Sequence, residues 1–371
     1  MRILMVIDSL SGGGAEHIFT TIACALEESH QVEVLVFQRS GIHLQRLEAA
    51  SIRVAEIRTD GSKLRFFARV RQHMRSLKPD VVLSFMDTPN LVSGIALLGT
   101  RIPLVLSFRS DHRSAPQDFH QQLKDCLLYF GLHRAHSVIA VSEQLARFMR
   151  EDFPFARQKL VAINNGLDLE RLQLEAEKPL SPEEEALFAT PTVLAIGRLD
   201  AAKDYPTLLR AFATPGSTQR ERRLLILGSG PDEAALKSLA QTLGIRDRVH
   251  LLGYVEQPAR FLRRASLYVM SSRYEGYPNA LAEAMFLNGS CVSTDCPTGP
   301  SEIIDSGVNG LLVPVGDSQA LASAMARLLS DSALAAQFRL RAREAMSKRT
   351  VAKMVAEYVR VLEAAACQRP T

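Results

Sequence analysis

Residues 267–285 read LYVMSSRYEGYPNALAEAM. Leu267–Met270 is a short apolar run of strand-forming residues that ends in two serines. Such a run, bounded by small polar residues, reads as a buried β-strand. Pro278 suits the opening of a helix, because the N–H that proline lacks has no helical partner there. The stretch is therefore strand, loop, helix, with Glu275 in the loop and Glu283 inside the helix. Free amides at a helix start favour a phosphate, and a carboxylate on either side accepts hydrogen bonds from sugar hydroxyls. Glu283 taken alone would be an exposed helix position; the full string argues for a ligand site.

The same alternation extends outward in both directions. In the second half, strands are expected at 193–196, 224–227, 249–251, 267–270 and 291–294, with helical patterns at 206–212, 233–243, 280–287 and 319–329. In the first half, strands are expected at 3–7, 32–37, 81–85, 104–107 and 138–141, with helices at 15–28, 64–77 and 121–133. Strands alternating with helices argue for parallel sheets covered on both faces. The Glu- and Pro-rich stretch 169–190 reads as an inter-domain linker, and 333–366 as one continuous helical pattern.

Composition sets the outer bounds. A chain of 371 residues, at roughly 100–200 residues per domain, suggests two domains. Its 47% hydrophobic and 23% charged content is that of an ordinary globular protein. The best candidate for a membrane-spanning helix, Leu91–Leu98, is about half of the ~20 residues one needs. The N-terminal MRILMVIDSL reads as a first strand rather than a signal peptide. Five cysteines without a CxxC pair argue against a disulfide framework or a zinc site and fit a reducing cytoplasm. A net charge of +4 gives no reason to expect nucleic acid.

Three further strings follow strand ends. Gly12-Gly13-Gly14-Ala15-Glu16 comes after the first strand; it is either a phosphate-approaching loop or a tight strand-to-helix turn. The spacing GxGxxG is absent there, which argues against a dinucleotide-dependent oxidoreductase. Gly197-Arg198-Leu199 opens the second domain's first turn, with Lys203 five residues beyond Arg198. A guanidinium fork and an ammonium suit a diphosphate; a solvated surface pair is the plain alternative. Gly228-Ser229-Gly230-Pro231 leaves room for a nucleotide at a third strand end, or is simply a turn.

In this order the strings resemble the retaining glycosyltransferases of family 4, over nearly the whole chain. The resemblance takes in the glycine-rich turn with Ala15-Glu16, Asn165-Gly166-Leu167-Asp168, Gly197-Arg198-Leu199 with Lys203, Gly228-Ser229-Gly230-Pro231 and Leu252-Gly253-Tyr254. It ends on Glu275 and Glu283 separated by seven residues. The chain departs from the family at Met270, where many members have proline, and at Gly289-Ser290-Cys291, where Gly-x-Pro is usual. Arg109 stands in place of a histidine, with His112 three residues on. The Arg109 form and the string Cys296-Pro297-Thr298-Gly299-Pro300-Ser301-Glu302-Ile303-Ile304 are similar to a bacterial subgroup that extends polysaccharides and lipid-linked oligosaccharides.

The resemblance implies an α/β fold of the GT-B type, two Rossmann-like domains with parallel sheets facing a central cleft. It implies an acceptor domain at 1–170, a linker at 171–189 and a donor domain at 190–345, with a C-terminal helix at about 350–371 packing back on the first. The activity implied is retaining, metal-independent transfer of a hexose or N-acetylhexosamine from a UDP-sugar, with no cofactor. Catalytic candidates are Arg198, Lys203, Glu275, Arg109 and His112. Donor-binding candidates are Gly13, Gly14, Gly228, Gly230, Tyr254, Val255, Gly276, Tyr277, Pro278, Asn279, Ala280 and Glu283. No metal ligands are expected, since the chain has no Asp-x-Asp pair. A GT-B UDP-sugar 2-epimerase and a non-catalytic UDP-sugar-binding subunit are the alternative readings.

The acceptor implied is a saccharide or a polyprenyl-diphosphate-linked glycan, and the place is the cytoplasm. The stretch Ser62–Lys78 adds a membrane reading. Leu64, Phe67, Val70, Met74 and Leu77 form an apolar helical stripe, beside Phe66. Lys63, Arg65, Arg69, Arg71, Arg75 and Lys78 surround it without an acidic residue. Such a face is drawn to anionic lipid, which would place the protein on the inner face of the cytoplasmic membrane. The stripe packing on the sheet is the plain alternative, and the two coexist if only the basic face meets lipid.

Overall fold

The computed structural model describes residues 1–111, 113, 128–214 and 222–367. The chain divides into two compact units, Met1–Gly166 with Val351–Thr371, and Leu167–Thr350.

The first unit holds seven strands: β1 (Arg2–Ile7), β2 (Gln31–Val36), β3 (Arg53–Glu56), β4 (Val81–Phe85), β5 (Leu104–Phe108), β6 (Ser137–Ala140) and β7 (Leu160–Ala162). All pairs are parallel, in the order β3-β2-β1-β4-β5-β6-β7. The second unit holds β8 (Thr192–Ile196), β9 (Arg223–Leu227), β10 (Val249–Leu251), β11 (Leu267–Met270), β12 (Cys291–Thr294) and β13 (Leu311–Val313), in the parallel order β10-β9-β8-β11-β12-β13. Parallel strands must be covered on both faces and so read as unbroken apolar runs; β4, β5, β11 and β12 are buried at every position.

Both sheets reverse direction beside their first strand, between β1 and β4 and between β8 and β11. At such a switch point the connections diverge to opposite faces and leave a crevice outside the carboxyl ends of the strands. Register then decides the site: Leu267 pairs with Val193 and Tyr268 with Leu194. The turn after β8 and the loop after β11 become neighbours although they lie far apart in sequence.

The structure corrects several expectations. Residues 171–189, expected as the linker, hold most of the helix Leu169–Glu177 and all of Pro182–Ala186, and group with the second unit. Ser181 and Glu184 form a capping box, each side chain bonding the other's backbone N–H. The stretch 333–366 is two helices, Ser332–Ser347 and Val351–Cys367, broken at 348–350. The second packs on the first unit through Met354, Tyr358, Leu362 and Ala365, residues that join the core of Ile3, Phe19 and Phe85. The helix Lys63–Leu77 buries Phe66, Val70 and Met74, whereas Leu64 is 84% exposed. Its inward stripe thus runs Phe66, Val70, Met74 at i, i+4, i+8, and the basic residues Lys63, Arg65, Arg69 and Arg75 face solvent.

Candidate functional site

In the second unit the site begins where three glycine turns interlock. Gly197 N–H donates to Leu227 O at 2.9 Å, and Gly228 N–H to Gly253 O at 2.7 Å. A Cβ on Gly228 would meet Gly197 O at 1.9 Å, and one on Gly230 would meet Leu199 O at 2.3 Å. Gly228 and Gly230 therefore let the β8 and β9 turns touch backbone to backbone, so their first role is packing.

On that platform Lys203 lies across Gly197, whose missing Cβ would fall 2.9 Å from Lys203 Cε. Lys203 Nζ donates to Glu275 Oε1 at 2.5 Å. Ser272 Oγ donates to the same oxygen at 2.7 Å, and Thr298 Oγ1 donates to Glu275 O. Ser271 Oγ donates to Lys203 O at 2.7 Å. The pair is largely enclosed, with side chains 24% and 12% exposed. Interactions of this kind strengthen as water is excluded. Arg198 differs: it is 72% exposed, and its Nε lies 3.0 Å from Asp200 Oδ2. Tyr205 is buried beneath, its hydroxyl donating to Gly197 O at 3.0 Å, and burial pushes its ionisation far up.

Loop 275–278 runs into the helix Asn279–Leu287, for which Pro278 is the N-cap rather than the first helical residue. Gly299, at φ +96°, lies against the Pro278 ring, where a Cβ would fall 2.5 Å from Cδ. The backbone amides of Gly276, Tyr277 and Ala280 have no hydrogen-bond partner among the described residues. The Tyr277 side chain is buried and its hydroxyl accepts from Arg349 at 3.3 Å; only its backbone is available to a ligand. Glu283, one helical turn below, is mostly enclosed, with Arg171 NH2 3.8 Å from its Oε1. Burial pushes its carboxyl up to about 7, against the pull of Arg171. Tyr254 follows Gly253 and is 55% exposed, with Val255 beside it half-buried.

The structure thus brings together Arg198, Lys203, Gly228, Gly230, Glu275, Gly276–Ala280 and Glu283 on the β8–β9–β11 side of the second unit. A cation, free amides and two carboxylates are the groups that hold a nucleoside diphosphate and the sugar and ribose on either side of it. Sequence reasoning missed Ser272, Thr298 and Asp200, which orient the charged groups, and Arg171 beside Glu283. None carries a spacing signal of its own.

In the first unit, Gly13 is the N-cap of the helix Gly14–Glu27. Glu16 folds back over it: a Cβ on Gly13 would meet Glu16 Oε2 at 2.3 Å, and Ser11 Oγ donates to Glu16 Oε1 at 2.8 Å. Gly13 and Gly14 are exposed. Arg109 does not present itself as an exposed catalytic group. It is buried, donates to Tyr358 Oη at 3.2 Å and to Asn165 Oδ1, and lies over the Phe85 ring. Its neighbours there are a phenol, an amide and an aromatic face, and burial pulls its pKa down. His112 lies outside the described residues.

Two family models match the chain. "Glycosyltransferase Family 4" takes in residues 12–171 and "Glycosyl transferases group 1" residues 177–345. A relative in Campylobacter jejuni, "GalNAc-alpha-(1->4)-GalNAc-alpha-(1->3)-diNAcBac-PP-undecaprenol alpha-1,4-N-acetyl-D-galactosaminyltransferase", is 28% identical over 89% of this chain and 89% of its own length. An uncharacterized glycosyltransferase of Methanocaldococcus jannaschii is 27% identical over 64% of this chain, which spans 60% of that relative. Among solved structures, Anabaena HepE in complex with UDP and glucose superposes with a TM-score of 0.85 over 98% of this chain and 100% of that one, at 22% identity. The fold is GT-B.

Proposed function

We propose, for a chain that belongs to the family 4 glycosyltransferases and has their GT-B architecture, that it moves a hexose or N-acetylhexosamine from a UDP-sugar to a glycan or lipid-linked saccharide in bacterial surface-glycan assembly. The observation that carries this reading is the Lys203–Glu275 pair at the carboxyl ends of two adjacent strands, beside amides that have no partner among the described residues. The bond from the anomeric carbon to the diphosphate oxygen breaks, and UDP leaves with the electron pair. Negative charge grows on the diphosphate, where Lys203, Arg198 and the amides of Gly276, Tyr277 and Ala280 stabilise it more than in the ground state. Glu275 accepts from the donor sugar hydroxyls, Glu283 from the ribose, and Tyr254 and Val255 lie along the base. The acceptor hydroxyl attacks the face that UDP leaves, so configuration is retained, and its proton passes to the departing diphosphate oxygen.

The chain has no Asp-x-Asp, so these cations supply the charge that a metal supplies in other transferases. The Campylobacter relative, by its name, works on an undecaprenol-diphosphate glycan, and HepE holds UDP and glucose; both support the donor and acceptor classes. The first unit takes the acceptor role.

No described helix is long and apolar enough to cross a membrane. The proposed attachment to the inner face of the cytoplasmic membrane rests on the outward basic face of Lys63–Leu77 and on exposed Leu64. Sedimentation with anionic vesicles that weakens with salt supports it; equal binding to neutral vesicles contradicts it. The reaction itself is tested by incubating UDP-sugars with and without saccharide acceptors. Transfer to an acceptor supports it, and a C2-epimerised nucleotide sugar formed from donor alone replaces it.

A further inference from the structure

Glu283 has an arrangement that neither its helix nor the loop before it explains. Its carboxylate takes no hydrogen bond from any described protein donor, yet its side chain is only 17% exposed. The cation beside it comes from a helix more than a hundred residues earlier in sequence. Arg171 sits one turn into Leu169–Glu177, whose N-cap Asp168 accepts from Arg171 N at 3.0 Å. The guanidinium is gripped from both sides of its own helix: NH1 donates to Glu175 Oε1 at 2.8 Å, and Nε lies 3.8 Å from Asp168 Oδ2. Its remaining nitrogen, NH2, stands 3.8 Å from Glu283 Oε1.

At 3.8 Å the contact is electrostatic and too long for a hydrogen bond. That distance matters chemically. A guanidinium in bidentate contact would occupy the lone pairs of the carboxylate, whereas one held back by its own helix lends charge and leaves the oxygens open. We infer that Arg171 is a positioning residue for Glu283, lending charge to its carboxylate and holding it in place while both oxygens stay free to accept from a ribose diol. The inference rests on the reading of Glu283 as the ribose-binding group.

The surroundings of Glu283 give Arg171 this role by exclusion among the described residues. Burial raises the Glu283 carboxyl to about 7, Arg171 acts against that rise, and Glu175 adds to it. On the helix Ala259–Arg264, Arg260 pairs with Glu184 at 2.9 Å and Arg264 with Glu185 at 3.2 Å. On Ser332–Ser347, Arg343 lies over the Phe286 ring, and Arg339 acts on Cys291. Tyr268 on β11 is buried and neutral, its ionisation pushed well up. Arg171 is the cation left to balance Glu283.

The test is UDP affinity by calorimetry from pH 6 to 9, on the full chain, for wild type, Arg171→Ala, Arg171→Lys, Glu175→Gln and Glu283→Gln. Wild-type affinity falls as the pH drops through about 7. Arg171→Ala moves that midpoint up by about one pH unit, so UDP binds about fivefold more weakly at pH 7, where wild type is itself half protonated, and regains its affinity at pH 9. Arg171→Lys, which keeps the charge, moves it little. Glu175→Gln removes a like charge and moves it down. An Arg171→Ala profile with an unmoved midpoint, whether or not binding is uniformly weaker, overturns the inference. If Arg171→Ala does not fold, an unmoved Glu175→Gln midpoint overturns it instead. Glu283→Gln that binds UDP like wild type at every pH brings down the ribose reading beneath it, an outcome separate from either.

Discussion

Lys203 Nζ meets Glu275 Oε1 at 2.5 Å across 72 residues of sequence, because β8 and β11 are neighbours in the sheet. The pair does two things before any substrate arrives. It satisfies a carboxylate that is 12% exposed, and it fixes an ammonium at the edge of the switch-point crevice. In the proposed reaction Lys203 serves the diphosphate and Glu275 the sugar, so each holds the other ready.

Lys203→Ala is expected to lower turnover by about 100- to 1000-fold, taking loss of one preorganised transition-state donor as the scale. It also leaves Glu275 without its cation, and breaking such an enclosed pair costs about 3 kcal/mol or somewhat less at this exposure. Rate measurements paired with thermal melts separate the two effects. A folded Lys203→Ala protein with wild-type turnover removes Lys203 from the chemistry.

Gly228→Ala is expected to unfold or loosen the second unit, since its Cβ would sit 1.9 Å from Gly197 O. Gly307→Ala is the control: it has positive φ but nothing within 4 Å, so it carries only left-handed strain of about 1–2 kcal/mol. Melting temperatures should fall much further for Gly228. Equal losses would mean that the β8 and β9 turns do not interlock as described.

Tyr358→Phe is expected to destabilise the first unit by about 1–3 kcal/mol, because a buried guanidinium loses a hydrogen-bond partner. Its affinity for UDP should stay that of wild type, since Lys203, Glu275 and Glu283 belong to the other unit. A large loss of UDP affinity in a folded Tyr358→Phe protein would show that Arg109 and its support belong to the donor site after all.

Glu283 makes stability pH-dependent, with a definite sign. Its folded value of about 7 lies above the ordinary 4.5, so the folded state holds the proton more tightly. The stability this gives is fully present below pH 4.5 and is lost as the pH rises through 7. At about 1.4 kcal/mol per unit the loss is on the order of 3 kcal/mol. Glu283→Gln should therefore melt higher than wild type at pH 8 and close to it at pH 5. The reverse order would mean that the carboxylate is better solvated than its surroundings indicate.

The central strands were legible because a parallel sheet buries both faces, and Ile3–Ile7 or Leu267–Met270 announce that as unbroken apolar runs. Three or four residues are too few to show a period: of the edge strands that short, β10 was expected at 249–251, while β3, β7 and β13 were missed. The string around Glu275 and Glu283 gave the carboxylates and the helix start, because strand, loop and helix are contiguous there. What it did not give are partners set by tertiary contact. Arg171 reaches Glu283 only through helix packing, and Tyr358 reaches Arg109 across 249 residues. Gly228 and Gly230 looked like ligand turns, but a glycine that admits a ligand and one that admits another backbone have the same sequence.

In the proposed reaction a sugar leaves UDP while Lys203, Arg198 and helix-start amides carry the leaving charge. Product analysis with UDP-N-acetylhexosamines or UDP-hexoses, a lipid-linked or soluble saccharide acceptor and excess chelator tests it most directly. The expected product is a glycosylated acceptor with the anomeric configuration of the donor, formed at an undiminished rate in EDTA. An inverted product, or activity abolished by the chelator and restored by manganese, would contradict it.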